Sequence, residues 1–401
     1  MDCIKKFLQE SYQSRLRLFA QGKSERYEYT LENYSQIFFA HLDLVKKEGK
    51  DCATCSDTLR CQKIRKVING IKKEEIEQFF IDIQQVYLNW IKAEPVKAIQ
   101  GLETLLKDKK LYQFERVLKE TDIFFKARVS KDILTHWDMF HIPFNKRYLI
   151  ENQRYSLTGQ PMIYIGSSVV DVAEEIEVTE FDDFKVSVVR LPVSSFKIYD
   201  LKNNINTIYT EMVFDEFLGI NRERYTEATF YKLIFSSICS FSKRRDHKGY
   251  SFCEEYVIPQ ILALNLKRSG FDGIAYLSTK KFEKVECTRE NQSIHKENIA
   301  IFTNLSMNHV YDRSLYERMK ISTPIDINKI EKVTIEDLEE VVKEIGLSKS
   351  QEKVSQSELI LSLFTRNYAD IKINGDKYYD SKIGKLHLYQ LYSILNEILV
   401  A

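Results

Sequence analysis

Five short β-rich runs between residues 123 and 302 constrain this fold most, because helix-forming stretches lie before, between and after them. The runs are rich in β-branched and aromatic side chains, which are typical of strands. They are IFFKARV (123–129), PMIYIG (161–166), FKVSVVRLPV (184–193), GIAYLS (273–278) and NIAIF (298–302). The pattern predicts an α+β protein in three parts, which are helical residues 1–118, a mixed part 119–322 and helical residues 323–401.

The helical parts carry apolar residues at three- and four-residue spacing, as in EEIEQFFIDIQQVYLNWIKA (74–93). Pro95 begins the next predicted helix, and Thr334 is placed to cap a later one. Within the mixed part, residues 254–270 are predicted to form a helix that ends at Gly270. The polar stretch GLSKSQEKVSQSE (346–358) is the best candidate for a linker.

Composition predicts a soluble cytoplasmic protein. The 59 Lys and Arg residues nearly balance the 58 Asp and Glu residues, so nucleic acid is not the expected partner. No apolar run reaches the roughly 18 residues that a membrane helix needs, and the start MDCIKKFLQES does not resemble a signal peptide. Seven scattered cysteines suit a reducing compartment better than a disulfide scaffold.

The stretch RYSLTGQPMIYIGSS (154–168) combines an arginine, a Gly–Gln–Pro turn, a strand and two serines. The following residues, SSVVDVAEEI, predict a helix capped by Ser167 or Ser168, whose first N–H groups would favour an anion. Arg154 is a suitable clamp for a phosphate because a guanidinium binds it through two parallel hydrogen bonds. The stretch therefore predicts a site at the end of a strand.

Four segments in order resemble the RES-domain family, which is named for its Arg, Glu and Ser residues. They are FFKARV (124–129), RYSLTGQPMIYIGSSVVDVAEE (154–175), EEYVIPQILALNLKRSGFDGIAYLS (254–278) and ENIAIF (297–302), and the region from the first to the last spans about half of the chain. The resemblance implies an ADP-ribosyltransferase-like mixed β-sheet core flanked by N-terminal and C-terminal helical regions. It also implies NAD⁺ as the substrate.

The resemblance assigns site roles to Arg128, Arg154, Tyr164, Glu175 and Ser278, with both arginines, the tyrosine and the serine binding NAD⁺. Family members break the nicotinamide–ribose bond by hydrolysis or phosphorolysis, and at least one type transfers ADP-ribose to protein. Many are toxins neutralised by an antitoxin. The expected function is NAD⁺ cleavage by a toxin or anti-phage defence effector.

Two of the correspondences leave a choice between neighbours. Either Lys126 or Arg128 matches the early arginine of the family, and Glu174 adjoins Glu175. The distance of Glu175 from Tyr164 along the chain fits the family better, so the resemblance favours Glu175. The loop HWDMFHIPFNKRY is longer than expected for a compact toxin, so its His136, His141 and Arg147 are additional candidates for the site.

A cysteine cluster, DCATCSDTLRCQK, predicts a structural Zn²⁺ site in the N-terminal part. Cys52 and Cys55 form a C-x₂-C pair and Cys61 follows. Three thiolates are too few for a closed tetrahedral site, so Cys3 or His41 is the candidate for the fourth ligand.

Alternative functions are protein ADP-ribosylation and a catalytically inactive RES-like module that only binds. The helical flanks are candidates for restraining the site or for receiving a trigger or an antitoxin. A homodimer is compatible with the family, and the acceptor stays open between water, phosphate and protein.

Overall fold

A computed structural model describes residues 26–47, 58–119, 122–178, 183–192, 196–202, 222–243, 252–280, 285–287 and 297–400, with a few isolated residues besides. It divides into two compact units. The first unit comprises residues 1–116, 150–160 and 197–274, and the second comprises 117–149, 161–196 and 275–401. The domain boundaries predicted from the sequence, at residues 118 and 322, stay a prediction.

Helices make up most of the described residues before 110 and after 333. They are α1 (Tyr27–Lys47), α2 (Thr58–Gly70), α3 (Lys73–Ile91), α4 (Pro95–Asp108), α5 (Val169–Glu175), α6 (Glu227–Ile238), α7 (Val257–Arg268), α8 (Arg313–Glu317), α9 (Ile335–Ser348), α10 (Gln351–Tyr368) and α11 (Lys382–Val400). No helix of the described part is long and apolar enough to span a bilayer.

Strands occur mainly in the middle of the chain. They are β1 (Glu115–Val117), β2 (Ile123–Val129), β3 (Met162–Gly166), β4 (Phe184–Arg190), β5 (Lys197–Asp200), β6 (Gly273–Leu277), β7 (Val285–Cys287), β8 (Glu297–Phe302), β9 (Lys320–Ile321), β10 (Ile325–Asp326), β11 (Ile371–Ile373) and β12 (Asp376–Lys377). The structure is therefore mixed α+β, as predicted.

In the first unit, aromatic rings fill the space between helices. The rings of Tyr27 and Tyr87 lie 4.6 Å apart, and those of Phe79 and Tyr231 lie 4.9 Å apart. Tyr87 also donates a 2.8 Å hydrogen bond to Glu254. These pairs stabilise the unit through buried apolar area and favourable ring geometry.

In the second unit, strands follow the order β6–β8–β3–β2–β4, and both β9 and β10 pair with β4. The ladder between β2 and β4 runs along all of β2, and the ladder between β3 and β8 runs along all of β3. Between β2 and β3 the ladder is the single pair Phe125–Gly166. The two groups of strands are therefore joined by this one residue pair.

The core of the second unit joins the sheet to the C-terminal helices. Phe125 on β2 contacts His387 on α11 edge to face at 4.9 Å. The buried amide of Gln390 donates a 3.0 Å hydrogen bond to the Val186 carbonyl of β4. Helix α11 thus packs directly on the strands that carry part of the predicted site.

Most predicted elements are confirmed, including all five strands, Pro95 at the first position of α4 and the Thr334 cap of α9. Gly270 ends the stretch after α7 with a φ of 81°. The predicted linker at 346–358 is wrong, because α9 extends to Ser348 and α10 begins at Gln351. The polar side chains there lie on helices with buried residues such as Ser357.

Candidate functional site

Helix α5 presents Glu175 at its last position. Ser168 caps the helix, since its side chain accepts the Asp171 N–H at 3.0 Å. The expectation that this end favours an anion is not supported, because Asp171 places a carboxylate in the first turn. Glu174 is 2% exposed, whereas Glu175 is half-buried. Of the two neighbours, Glu175 is thus the one accessible to a ligand.

Three side chains from other strands surround the Glu175 carboxylate. Ser278, which follows β6, donates to Oε2 at 3.0 Å. Asn298 on β8 donates to the same oxygen at 2.8 Å. The Tyr276 hydroxyl lies 3.5 Å from Oε1. The predicted pair Glu175 and Ser278 is therefore brought together, and Oε1 carries the weaker of these contacts.

Asn298 is a site residue for which the sequence analysis gave no role. Because a carboxylate only accepts hydrogen bonds, the Asn298 NH₂ group must face Glu175 and its Oδ1 must point elsewhere. Oδ1 is buried and has no hydrogen-bond partner among the residues that the structure describes. The signal in the sequence was an amide directly before the apolar run IAIF of this strand.

Gly166 allows this arrangement to form where β3 meets β8. It pairs with Asn298 across the ladder. A Cβ at this position would lie 2.8 Å from Val172 Cγ1, 3.0 Å from Asn298 Oδ1 and 3.1 Å from Asp171 Cβ. Only glycine leaves room for helix α5 to approach the strand this closely.

Lys126 and Arg128 lie on one face of β2. Phe125 and Ala127, which alternate with them along the strand, point to the opposite face and belong to the core. Desolvation and the neighbouring Arg128 lower the pKa of Lys126 to about 7. Burial also lowers the pKa of Arg128, opposed by the charge of Asp138. Two half-buried cations side by side favour an anion with more than one charge.

The strand register places Lys126 and Arg128 on the opposite strand face from Asn298, which binds Glu175. Paired residues of an antiparallel ladder point to the same face, so Phe125, Gly166 and Asn298 share a face with Tyr164. Lys126 and Arg128 alternate with Phe125 and point to the other face. The Tyr164 side chain is half-buried, with its hydroxyl 4.0 Å from Met162 Sδ.

Arg154 lies in the first compact unit. There its Nη1 donates to the Cys239 carbonyl at 2.9 Å, and its guanidinium lies 4.9 Å from the centre of the Tyr256 ring. These contacts hold the side chain against its own unit. The predicted role as a phosphate clamp stays a prediction.

Of the additional candidates in the long loop, His141 is a structural residue. Its Nε2 accepts the Asp312 N–H at 2.9 Å, so Nδ1 carries the proton and donates to the Ile142 carbonyl at 2.7 Å. Burial lowers the pKa of His141. Because both nitrogens bind the main chain, His141 has no nitrogen left for acid–base chemistry.

The rest of the loop forms a stack of rings. Trp137 lies between Tyr311, at 4.9 Å, and Tyr316, at 4.4 Å. His136 packs beside Tyr316, and Arg147 is exposed. Both faces of Trp137 are thus covered by the protein itself.

The predicted zinc site falls mostly outside the described residues. Cys52, Cys55 and Cys3 lie there, while Cys61 is buried. His41 lies on α1. The described residues hold no group of three or more His, Cys, Asp or Glu side chains arranged for a metal. Zn²⁺ therefore stays a prediction.

Comparison with known proteins gives one informative similarity. No family model matches the chain, and no solved structure matches it. Over 219 residues the chain is 32% identical to "Putative toxin YopC" of Bacillus subtilis (strain 168). The aligned region is 50% of this chain and 46% of that protein, so the chain spans less than half the length of this relative.

Proposed function

We propose that this protein cleaves the bond between nicotinamide and ribose in NAD⁺ and acts as a toxin or anti-phage defence effector by depleting NAD⁺. The observation that carries the proposal is the half-buried Glu175 carboxylate, held by Ser278 and Asn298 from two other chain segments. The RES-like segments and the similarity to a protein named a toxin agree with it.

The chemistry requires a carboxylate that is oriented before the substrate arrives. As nicotinamide leaves with the bonding electron pair, positive charge develops on the ribose, as in glycoside hydrolysis. Glu175 stabilises that charge through Oε1, because Oε2 is already held by Ser278 and Asn298. Water or phosphate then adds to the anomeric carbon and releases a proton.

The remaining residues would bind the rest of the substrate. Lys126 and Arg128 point to the other strand face, so these two cations would attract the anionic pyrophosphate to the protein rather than contact the atoms beside Glu175. Tyr164 is placed on the face of Glu175 by the strand register and would contact nicotinamide or ribose. The mixed sheet, in which β2 and β3 share one residue pair, is compatible with an ADP-ribosyltransferase-like core.

The test is incubation of the purified protein with NAD⁺, with and without inorganic phosphate, followed by mass spectrometry. We expect free nicotinamide from the wild type and a loss on the order of 10²–10³ in rate for Glu175→Gln. Glu340→Gln, an exposed residue of α9, is the matched control and keeps full activity. A phosphorylated ADP-ribose would identify phosphate as the acceptor.

Two outcomes contradict the proposal. One is equal activity of Glu175→Gln and the wild type. The other is intact NAD⁺ both in vitro and in bacteria that express the wild type. ADP-ribose attached to protein, with free nicotinamide but neither free nor phosphorylated ADP-ribose, would favour the ADP-ribosyltransferase alternative.

A further inference from the structure

Lys280 contacts both members of the Glu175–Ser278 pair, through two different parts of the residue. Its main-chain N–H donates to Ser278 Oγ at 3.2 Å. Its ammonium group donates to the main-chain oxygen of Glu175 and lies 3.9 Å from Oε1 of Glu177.

The main-chain contact determines the direction of the Ser278 hydroxyl. An N–H group only donates, so Ser278 Oγ must accept from Lys280. The hydroxyl proton is then available for Glu175 Oε2, which lies 3.0 Å away. Lys280 thereby orients the hydrogen bond that holds the carboxylate.

The side-chain contact completes the end of the helix that carries Glu175. The last carbonyls of a helix lack partners within the helix. Here Val172, Ala173 and Glu174 accept main-chain N–H groups from residues 176–178, with distances of 3.1 to 3.3 Å. Glu175 is the remaining carbonyl of the last turn, and the Lys280 ammonium binds it. A cation at this end also suits the helix dipole.

We infer that Lys280 is a positioning residue for the Glu175–Ser278 pair. It holds the helix end through its side chain and the serine hydroxyl through its main chain, so the two groups keep one geometry. This inference rests on the proposed NAD⁺ cleavage. Lys280 acts through Glu175 and touches no reacting atom.

The test compares NAD⁺ cleavage by Lys280→Met, Lys280→Arg and Lys320→Met. We expect Lys280→Met to lower kcat about tenfold, with KM within about twofold, because misplacing a catalytic group costs rate more than binding. Lys280→Arg keeps the cation and restores most of kcat. Lys320→Met removes an exposed lysine of β9 and leaves kcat unchanged.

A double variant separates positioning from a general loss of stability. In a Ser278→Ala background, Lys280→Met is expected to lower kcat less than it does in the wild type, because the helix end that the Lys280 side chain holds then has no Ser278–Glu175 hydrogen bond to keep aligned. Full additivity, or an unchanged kcat in Lys280→Met, overturns the inference while NAD⁺ cleavage stands. A wild type without NAD⁺ cleavage overturns both. If Lys280→Met fails to fold, loss of kcat in Lys280→Arg overturns the inference.

Discussion

The side-chain nitrogen of Asn298 lies 2.8 Å from Oε2 of Glu175, and this contact sets which carboxylate oxygen remains for a substrate. Asn298 is 1% exposed and the Glu175 carboxylate is half-buried, so the hydrogen bond is partly shielded from water. A buried, charge-assisted hydrogen bond is stronger than a neutral one and is costly to break.

Asn298→Asp tests this contact with almost no change in shape. It places a second carboxylate where a donor was, so the two oxygens repel unless one carboxyl group keeps a proton. We expect a loss of activity on the order of 10² or more at pH 7, measured as nicotinamide release. Asn308→Asp, at an exposed position, is the control, and equal loss in both variants would contradict the role of Asn298.

Gly166→Ala tests the close approach of helix α5 to strand β3. The added methyl would lie 2.8 Å from Val172 Cγ1. Overpacking of this kind costs about 1–3 kcal/mol of unfolding free energy. Gly346→Ala is the control, since its Cβ would meet nothing within 4 Å on helix α9.

Urea denaturation measures the unfolding free energies of these two glycine variants. We expect Gly346→Ala to be neutral or up to about 1 kcal/mol more stable, because alanine favours helix over glycine. If Gly166→Ala were as stable as Gly346→Ala, the helix would not be confined by this contact.

The lowered pKa of Lys126 leads us to expect that the affinity for the substrate depends on pH. Its pKa of about 7 means that the amine loses its charge as the pH rises through neutrality. We expect KM for NAD⁺ to rise between about pH 6 and pH 8, because a charged Lys126 attracts the pyrophosphate and a neutral one does not. Lys126→Met is expected to show a high KM that changes little over this range, whereas Lys131→Met, an exposed neighbour, keeps the wild-type profile. A wild-type KM independent of pH would contradict a role for Lys126 in binding.

The lowered pKa of the buried His387 leads us to expect that the unfolding free energy falls in acid. Burial lowers its pKa to about 3, whereas an unfolded histidine has a pKa of about 6.5. The unfolded chain therefore binds a proton first, and stability that is present above pH 6.5 is lost as the pH falls towards 3. Between pH 7 and pH 5 this histidine alone removes about 2 kcal/mol of unfolding free energy.

Denaturation at several pH values checks the His387 prediction. His387→Gln is expected to lower stability at pH 7, since Tyr378 loses its 2.8 Å partner, but also to flatten the decline towards pH 5. His309→Gln, at an exposed position, keeps the wild-type slope. An unchanged slope in His387→Gln would show that another group causes the decline.

Local sequence patterns were sufficient to predict most of the secondary structure, because helices and strands depend mainly on residues that are close together in the chain. The strands around Arg128, Tyr164 and Ser278 were predicted from β-branched and aromatic runs. The error at 346–358 arose because polarity resembles a linker when only one face of a helix is buried.

The sequence by itself determined the α+β pattern and the helix caps, and its resemblance to the RES-domain family pointed to Glu175 and Ser278 as candidates. Only the tertiary structure placed Asn298 and Lys280 beside Glu175, put Lys126 and Arg128 on the opposite strand face, and placed Arg154 in another compact unit. The reason is physical. The spacing of apolar residues indicates which face of a helix or strand is buried. Strand order and register decide which side chains that are far apart in the chain come into contact.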